Sequence, residues 1–266
     1  MKIFKKFSSK TNLKSQNDET VETKSETPNE TSNHKADETA DAKNSQADAE
    51  RIINLIIVDE SGSMGDIYWE ALNGMNDTIE KIKSRANEVE GVRQYVNLIT
   101  FDSSHYHQHL RHCPAEKARK LSPKEYCPGA CTPLYDAIGR AVTRLERHIT
   151  DNDAVLVTII TDGYENASRE YSAAEIKRLT ERLTEKGWIF TYIGANQDAT
   201  LEAGKLGIRM SLDFVADSDG TSAMWEKDMA ARENYFMRMK TRKMAGKTIS
   251  EAKMMDLEEG VDFYNS

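Results

Sequence analysis

Apolar positions along the chain fall into two kinds of run, and their alternation predicts most of the elements. One kind is continuous: Ile52, Ile53, Leu55, Ile56, Ile57 and Val58, and then Val155 to Ile160, broken only by Thr158. Runs of this length read as strands buried on both faces. The other kind recurs every three or four residues, as one buried helical stripe requires. Tyr68, Leu72, Met75, Ile79, Ile82, Ala86 and Val89 form such a stripe over roughly 67–89, ended by Gly91. Leu134, Ala137, Ile138, Ala141, Val142, Leu145 and Ile149 form a second, with Thr132 as expected N-cap and Pro133 at the first helical position. Val92–Phe101 predicts a further strand, and His105–His112 a shorter one pairing with it as a hairpin. Cys113–Ala130, with Pro114, Pro123 and Pro128, is expected to be irregular.

Further along, Ser172 and Glu175 form a capping box that opens a helix through Ile176, Leu179 and Leu183 to Gly187. Trp188–Ile193 reads as a strand closed by Gly194, Ala195 and Asn196, followed by a short helix near Asp198–Lys205 and an edge strand at Ile208–Phe214. Strands alternating with amphipathic helices predict a doubly wound α/β domain with a mostly parallel sheet flanked by helices. Three parts are expected: a polar leader (1–50), the α/β domain (51–215) and a helical, methionine-rich extension (216–266). Between Val21 and Ile52 there is no aromatic residue and no aliphatic one larger than alanine, so the leader is expected to be disordered. In the extension, Thr248 and Glu251 form another capping box, and the methionines serve either docking onto the domain or an adaptable partner surface.

Charge and cysteine content narrow the function classes. A net charge of -8 argues against a general nucleic-acid binder. No stretch reaches the apolar length of a membrane span, and the basic start Met1–Ser8 has no apolar core behind it, so neither secretion nor stable membrane association is expected. Three cysteines, Cys113, Cys127 and Cys131, are an odd number that fits free thiols in a reducing cytoplasm.

The first buried run ends in Asp59-Glu60-Ser61-Gly62-Ser63. Asp59, Ser61 and Ser63 place hard oxygen donors on one loop, which suits a divalent cation such as Mg²⁺, although Asp and Ser also serve as plain helix caps. Asp162 follows the second buried strand, and Thr132 sits at a loop-to-helix junction between them. Loops at the carboxyl ends of strands share one edge of a doubly wound sheet, so these residues are expected to converge. In order and separation, Asp59-x-Ser61-x-Ser63, Thr132 in Thr-Pro-Leu-Tyr-Asp and Asp162 in Ile-Thr-Asp-Gly resemble the von Willebrand factor type A (vWA) domain with its metal-ion-dependent adhesion site, across residues 51 to about 215. That resemblance implies direct ligation by Ser61 and Ser63, ligation by Thr132 directly or through water, and Asp59 and Asp162 acting largely through water or hydrogen bonds. It implies Mg²⁺, or else Mn²⁺ or Ca²⁺, and a partner protein captured through an acidic side chain. Similar free-standing bacterial domains act with chaperone-like ATPases or in stress-response systems.

Rival readings use the same residues. A Mg²⁺-dependent hydrolase or phosphatase would employ the carboxylate cluster, but Ser61 stands where a haloacid dehalogenase-type phosphatase needs a second Asp, and no phosphate-binding Gly-rich loop with Lys occurs. The expectation is therefore a non-enzymatic binding module; a scaffold that binds through its tails is a further alternative. His105, His107 and His109 alternate on one strand face, with His112 and the cysteines nearby, which raises a zinc site. No supporting acid is obvious in the sequence, and a solvent-facing strand edge accounts for the histidines as well. Glu60, Asp66 and Glu165 are expected in solvated loops, Asp136 at a helix first turn, and Asp102 in a turn.

Overall fold

The computed structural model describes residues 50–195 and 198–265. The expected disordered leader up to residue 49, and Asn196, lie outside the described residues. In chain order the elements are β1 (Glu50–Asp59), α1 (Tyr68–Ser84), β2 (Val92–Phe101), β3 (Tyr106–Pro114), α2 (Leu134–Glu146), β4 (Asp153–Thr161), α3 (Ala173–Thr184), β5 (Ile189–Ala195), α4 (Ala199–Lys205), β6 (Met210–Phe214), α5 (Ser218–Met244) and α6 (Ile249–Glu258). The strands form one sheet in the order β3-β2-β1-β4-β5-β6. β1 runs parallel to β2 and β4, β4 to β5, and β5 to β6, while β3 is antiparallel to β2. A mostly parallel six-stranded sheet between two helical layers is consistent with the vWA-like, Rossmann-like class that the sequence predicts.

Both continuous apolar runs lie at the centre of this sheet because only there are both strand faces covered. Ile53, Leu55 and Ile57 face a core with Leu134, Ile138 and Val142 of α2 and Ile176 and Leu183 of α3. Ile56 and Val58, on the opposite face, meet Leu72, Met75 and Ile79 of α1 and Trp225 of α5. A third cluster joins Ile52 and Leu156 to Tyr235, Phe236 and Met239 of α5 and Ile249 of α6. The methionine-rich extension therefore docks on the sheet. Met224 and Met239 are buried, while Met237 and Met244 face solvent. The close approach of α1 to α5 depends on Gly74, where an added Cβ would stand 2.2 Å from the Trp225 ring.

Several boundaries differ from expectation for local reasons. Residues 62–67, Gly62–Ile67, wind into a 3-10 turn ahead of α1, which ends at Ser84 rather than near Val89. Beyond it Arg85 is the C-cap, and its side chain pairs with Glu88 and with Glu233 of α5. β3 runs on to Pro114, which an edge strand tolerates at its end, and its register with β2 shifts between Val96 and Ile99. Both capping boxes, Ser172 with Glu175 and Thr248 with Glu251, form as expected.

A buried polar cross-link fastens α5 to the central strands. The Arg232 guanidinium donates to Asp228 at 2.6 Å, to Thr158 of β4 at 2.5 Å and to Asn54 of β1 at 3.4 Å. Asp228 is fully buried and Arg232 nearly so, and Tyr264 donates to the other Asp228 oxygen at 3.3 Å. Removing one partner of such a pair strands the other charge in a low-dielectric interior. Arg232→Ala is expected to lower the unfolding free energy by about 3–5 kcal/mol, measured by urea denaturation with the wild type alongside.

Candidate functional site

The chain leaves β1 for β2 on one side and later returns to β4 on the other, so the strand order reverses at β1. In open α/β sheets such a reversal opens a crevice beyond the carboxyl ends of the strands. Asp59 is the last residue of β1 and is fully buried there. Because Val58 pairs with Ile160, Asp59 stands level with Thr161. The Thr161 hydroxyl donates to Asp59 Oδ2 at 2.7 Å, and the Ser61 amide donates to Oδ1 at 2.8 Å. Below it the buried Tyr126 hydroxyl donates to the Asp59 carbonyl at 2.9 Å.

The remaining oxygens gather above this carboxylate. Ser61 Oγ lies 3.3 Å from Ser63 Oγ, and Ser63 Oγ donates to Asp162 Oδ1 at 2.6 Å. Thr132 approaches from the far side: a methyl on Gly163 would stand 3.6 Å from Thr132 Oγ1 and 3.7 Å from Ser63 Oγ. All five sequence-predicted residues thus border one crevice.

Main-chain lacing holds Thr132 in place. Gly62 N donates to Ala130 O at 3.2 Å, Gly129 N to Glu60 O at 2.8 Å, and Ser103 N to Cys131 O at 2.9 Å. The Thr132 amide donates to Asn166 Oδ1 at 2.9 Å, and the Asn166 amide to Thr132 O at 3.1 Å. Thr132 is consequently not the helix N-cap expected from the sequence. Pro133 occupies that position with no side-chain cap, and the Thr132 hydroxyl is left for the crevice.

Two acids expected to be incidental anchor the loop after Asp162. Asp136 accepts from the amides of Arg169, Glu170 and Tyr171 at 2.8–2.9 Å. Burial pushes its carboxyl up, but the three amides outweigh that and hold it below the usual carboxylate range. Glu165, expected in solvent, accepts from the amides of Ala167 and Ser168 at 2.8 and 2.6 Å and from Tyr135 N at 3.1 Å. Glu60 also departs from expectation, being only 2% exposed. Asp102 is the turn residue expected, accepting from Ser104 N and His105 N at 2.6 Å. Cys127 and Cys131 are exposed, Cys113 is half-buried, and none is in a disulfide.

Sequence reasoning missed Thr161, Tyr126 and Asn166. Only Thr161 carried a signal, since a residue just before Asp162 on a strand parallel to β1 falls level with Asp59. Tyr126 and Asn166 lie on irregular segments whose path no periodicity encodes.

The electrostatics of the crevice are one-sided. Burial, with some repulsion from Asp162, pushes the Asp59 carboxyl up to about 6 against bonds from Thr161 and Ser61 that pull it down. Burial likewise raises Asp162, aided by the charge of Asp66 and opposed by the Ser63 bond. Among the described residues neither carboxylate has a basic partner. Two buried acids, three hydroxyls and no compensating cation make a donor set suited to a hard divalent ion.

No protein-family model and no curated protein matches the sequence. Solved structures do match in fold. The PilB minor pilin of Streptococcus sanguinis aligns over 68% of this chain and 61% of its own, at 11% identity and a TM-score of 0.50. The pilus adhesin SpaC of Lactobacillus rhamnosus GG, in an open conformation, aligns over 69% of this chain and 30% of its own, at 13% identity and a TM-score of 0.50. The vWF domain of the type V pili tip protein Mfa5 of Porphyromonas gingivalis aligns over 70% and 96%, at 10% identity and a TM-score of 0.48. The chain spans less than two thirds of the length of the pilin and the adhesin. At these identities the likeness is one of fold. Among the described residues no helix is long and apolar enough to cross a membrane.

The raised carboxyl has a direct consequence for stability. Asp59 ionises near 3.8 in an unperturbed setting and near 6 in the fold, so the metal-free fold holds the proton more tightly than the unfolded chain. Its contribution is complete below about pH 4 and is lost as pH rises through about 6. Asp59→Asn removes this dependence, and its amide can donate to the Thr161 hydroxyl, which is also placed to bond Gly163 O at 3.1 Å. In chelator, the two proteins should differ little at low pH, with the Asn variant ahead by roughly 3 kcal/mol above neutrality. Denaturant unfolding over a pH series measures the difference.

Proposed function

We infer that the chain is a metal-dependent protein-binding module. Asp59, Ser61, Ser63, Thr132 and Asp162 hold a divalent cation, Mg²⁺ or else Mn²⁺ or Ca²⁺, and the cation takes an acidic side chain of a partner protein as a further ligand. The supporting observation is the pair of buried carboxylates that have no basic partner among the described residues, set among hydroxyls. Both oxygens of Asp59 already accept hydrogen bonds, so it suits an outer position that holds the ion through water. Ser61, Ser63 and Thr132 supply neutral oxygens, which leave most of the cation's charge to attract an external carboxylate. Tyr164, 56% exposed and next to Gly163, offers an aromatic contact at the rim.

A binding role fits better than hydrolysis. The Ser61 and Ser63 hydroxyls bond each other and Asp162, and among the described residues no imidazole or amine is hydrogen-bonded to them as a base. Free cysteines accord with a cytoplasmic setting, in which a chaperone-like ATPase or a stress-response component is the class of partner the vWA resemblance implies.

Titrating Mn²⁺ into the protein and following the loss of free-ion EPR signal tests the cation. Ser61→Ala is expected to weaken binding by roughly tenfold or more without altering the unfolding transition in chelator. Gly163→Ala meets only ordinary van der Waals distances, so it should fold normally while crowding the ion between Ser63 and Thr132. Affinity capture from cells, in Mg²⁺ and in chelator, tests the partner. Recovery of the same partners in both buffers, or by Ser61→Ala in Mg²⁺, sinks the reading.

A further inference from the structure

The histidines of β3 meet an acid that the sequence did not reveal. β3 is an edge strand, and His107 and His109 lie on one of its faces, two residues apart. Glu60, the residue after Asp59, turns toward them. One ligand atom from each of Glu60, His107 and His109 lies within 4.8 Å of the other two. Glu60 Oε2 is buried, has no hydrogen-bond partner, and stands 3.6 Å from His107 Nδ1. A buried carboxylate oxygen left unpaired is costly, which marks it as aimed at something that supplies charge or a proton.

We propose that Glu60, His107 and His109 form a second metal site, for Zn²⁺, distinct from the five-oxygen crevice. Two imidazoles and a carboxylate are borderline donors that favour Zn²⁺ over Mg²⁺. Two of the three residues, Glu60 and His109, are also oriented from behind, as metal ligands commonly are. The other Glu60 oxygen, Oε1, accepts from the Cys127 amide, which leaves Oε2 for the metal. His109 Nε2 lies 2.8 Å from Thr100 Oγ1, so an Nε2–H donated to that hydroxyl leaves Nδ1 with its lone pair. Tetrahedral zinc with bonds of about 2.0–2.2 Å sets its ligand atoms about 3.3 Å apart. A rotation of the His107 side chain, 48% exposed, closes the remaining gap. Three protein ligands leave a fourth position on the solvent side for water or an incoming group.

The site is testable apart from the crevice because the two differ in every side chain. Tag-free full-length protein is dialysed against Zn²⁺ in excess Mg²⁺ and its bound metal measured; Co²⁺ substitution reports coordination through its visible spectrum. The wild type is expected to retain one zinc per chain and to give the intense bands of four-coordinate Co²⁺. Glu60→Gln keeps the acceptor for Cys127 N, and His107→Ala changes a half-exposed side chain, so both should fold. Each is expected to weaken zinc binding by more than the ~10–100-fold typical of losing an outer partner, while Asp59→Asn retains it. Absence of zinc from the wild type overturns the proposal, as does wild-type affinity in either Glu60→Gln or His107→Ala. Loss of zinc from Asp59→Asn also overturns it by placing the ion in the crevice, and leaves the binding-module reading standing.

Discussion

The arrangement around the crevice depends on one constraint: a carboxylate held at the dry end of the central strand. Asp59 is inaccessible to solvent, with parallel neighbours on both sides. Ionising it there is opposed by burial, and two hydrogen bonds from Thr161 and Ser61 offset only part of the penalty. The rest must come from outside the protein's own charges, since no basic group reaches it among the described residues. That shortfall is what separates a cation site from a helix cap. A capping Asp needs backbone amides alone, and a solvated one needs nothing.

Much of the fold was legible because two periodicities carry it. Continuous apolar runs read as strands buried on both faces, and stripes at helical spacing as the helices that cover them. The candidate residues were legible for a related reason: Asp59 and Asp162 each stand directly after a buried run, and parallel strands deliver such positions to one edge. What the pattern did not encode lies where neither period applies. Thr132 read as an N-cap because Thr before Pro opens many helices, yet its amide and carbonyl are claimed by Asn166. Glu60 and Glu165 read as solvated because charged loop residues usually are. Glu60 is buried and Glu165 half-buried because of loop paths set by long-range contacts, such as Cys127 N with Glu60 and Tyr135 N with Glu165.

Adjacent residues can serve different surfaces when a strand ends between them. Asp59 shares the numbering parity of Ile53, Leu55 and Ile57, while Glu60 continues that of Ile56 and Val58. Asp59 accordingly meets Thr161 on the β4 side, and Glu60 is carried toward β3. The histidines looked like an ordinary polar edge in the sequence because the acid facing them comes from the loop after β1, nearly fifty residues earlier. Main-chain bonds of Glu60 tie the two sides together: its amide donates to Phe101 O at 2.7 Å and its carbonyl accepts from Gly129 N at 2.8 Å.

Helix α5 bears on the same segment from beneath. Arg232 of α5 reaches Asn54 on β1 and Thr158 on β4, the two strands that end in Asp59 and Thr161. A buried ion pair contributes little net stability when compared with a well-packed apolar replacement. What it supplies is direction, because guanidinium bonds fix how β1, β4 and α5 sit against one another. Apolar contacts such as Trp225 over Gly74 provide the burial but tolerate sliding; the Arg232 fork does not. The level match of Asp59 with Thr161 is set by the ladder between the strands, and the cross-link five residues upstream of Asp59 resists any slip in it. On this reading the extension is part of the machinery that keeps the crevice in shape, and its role there is geometric.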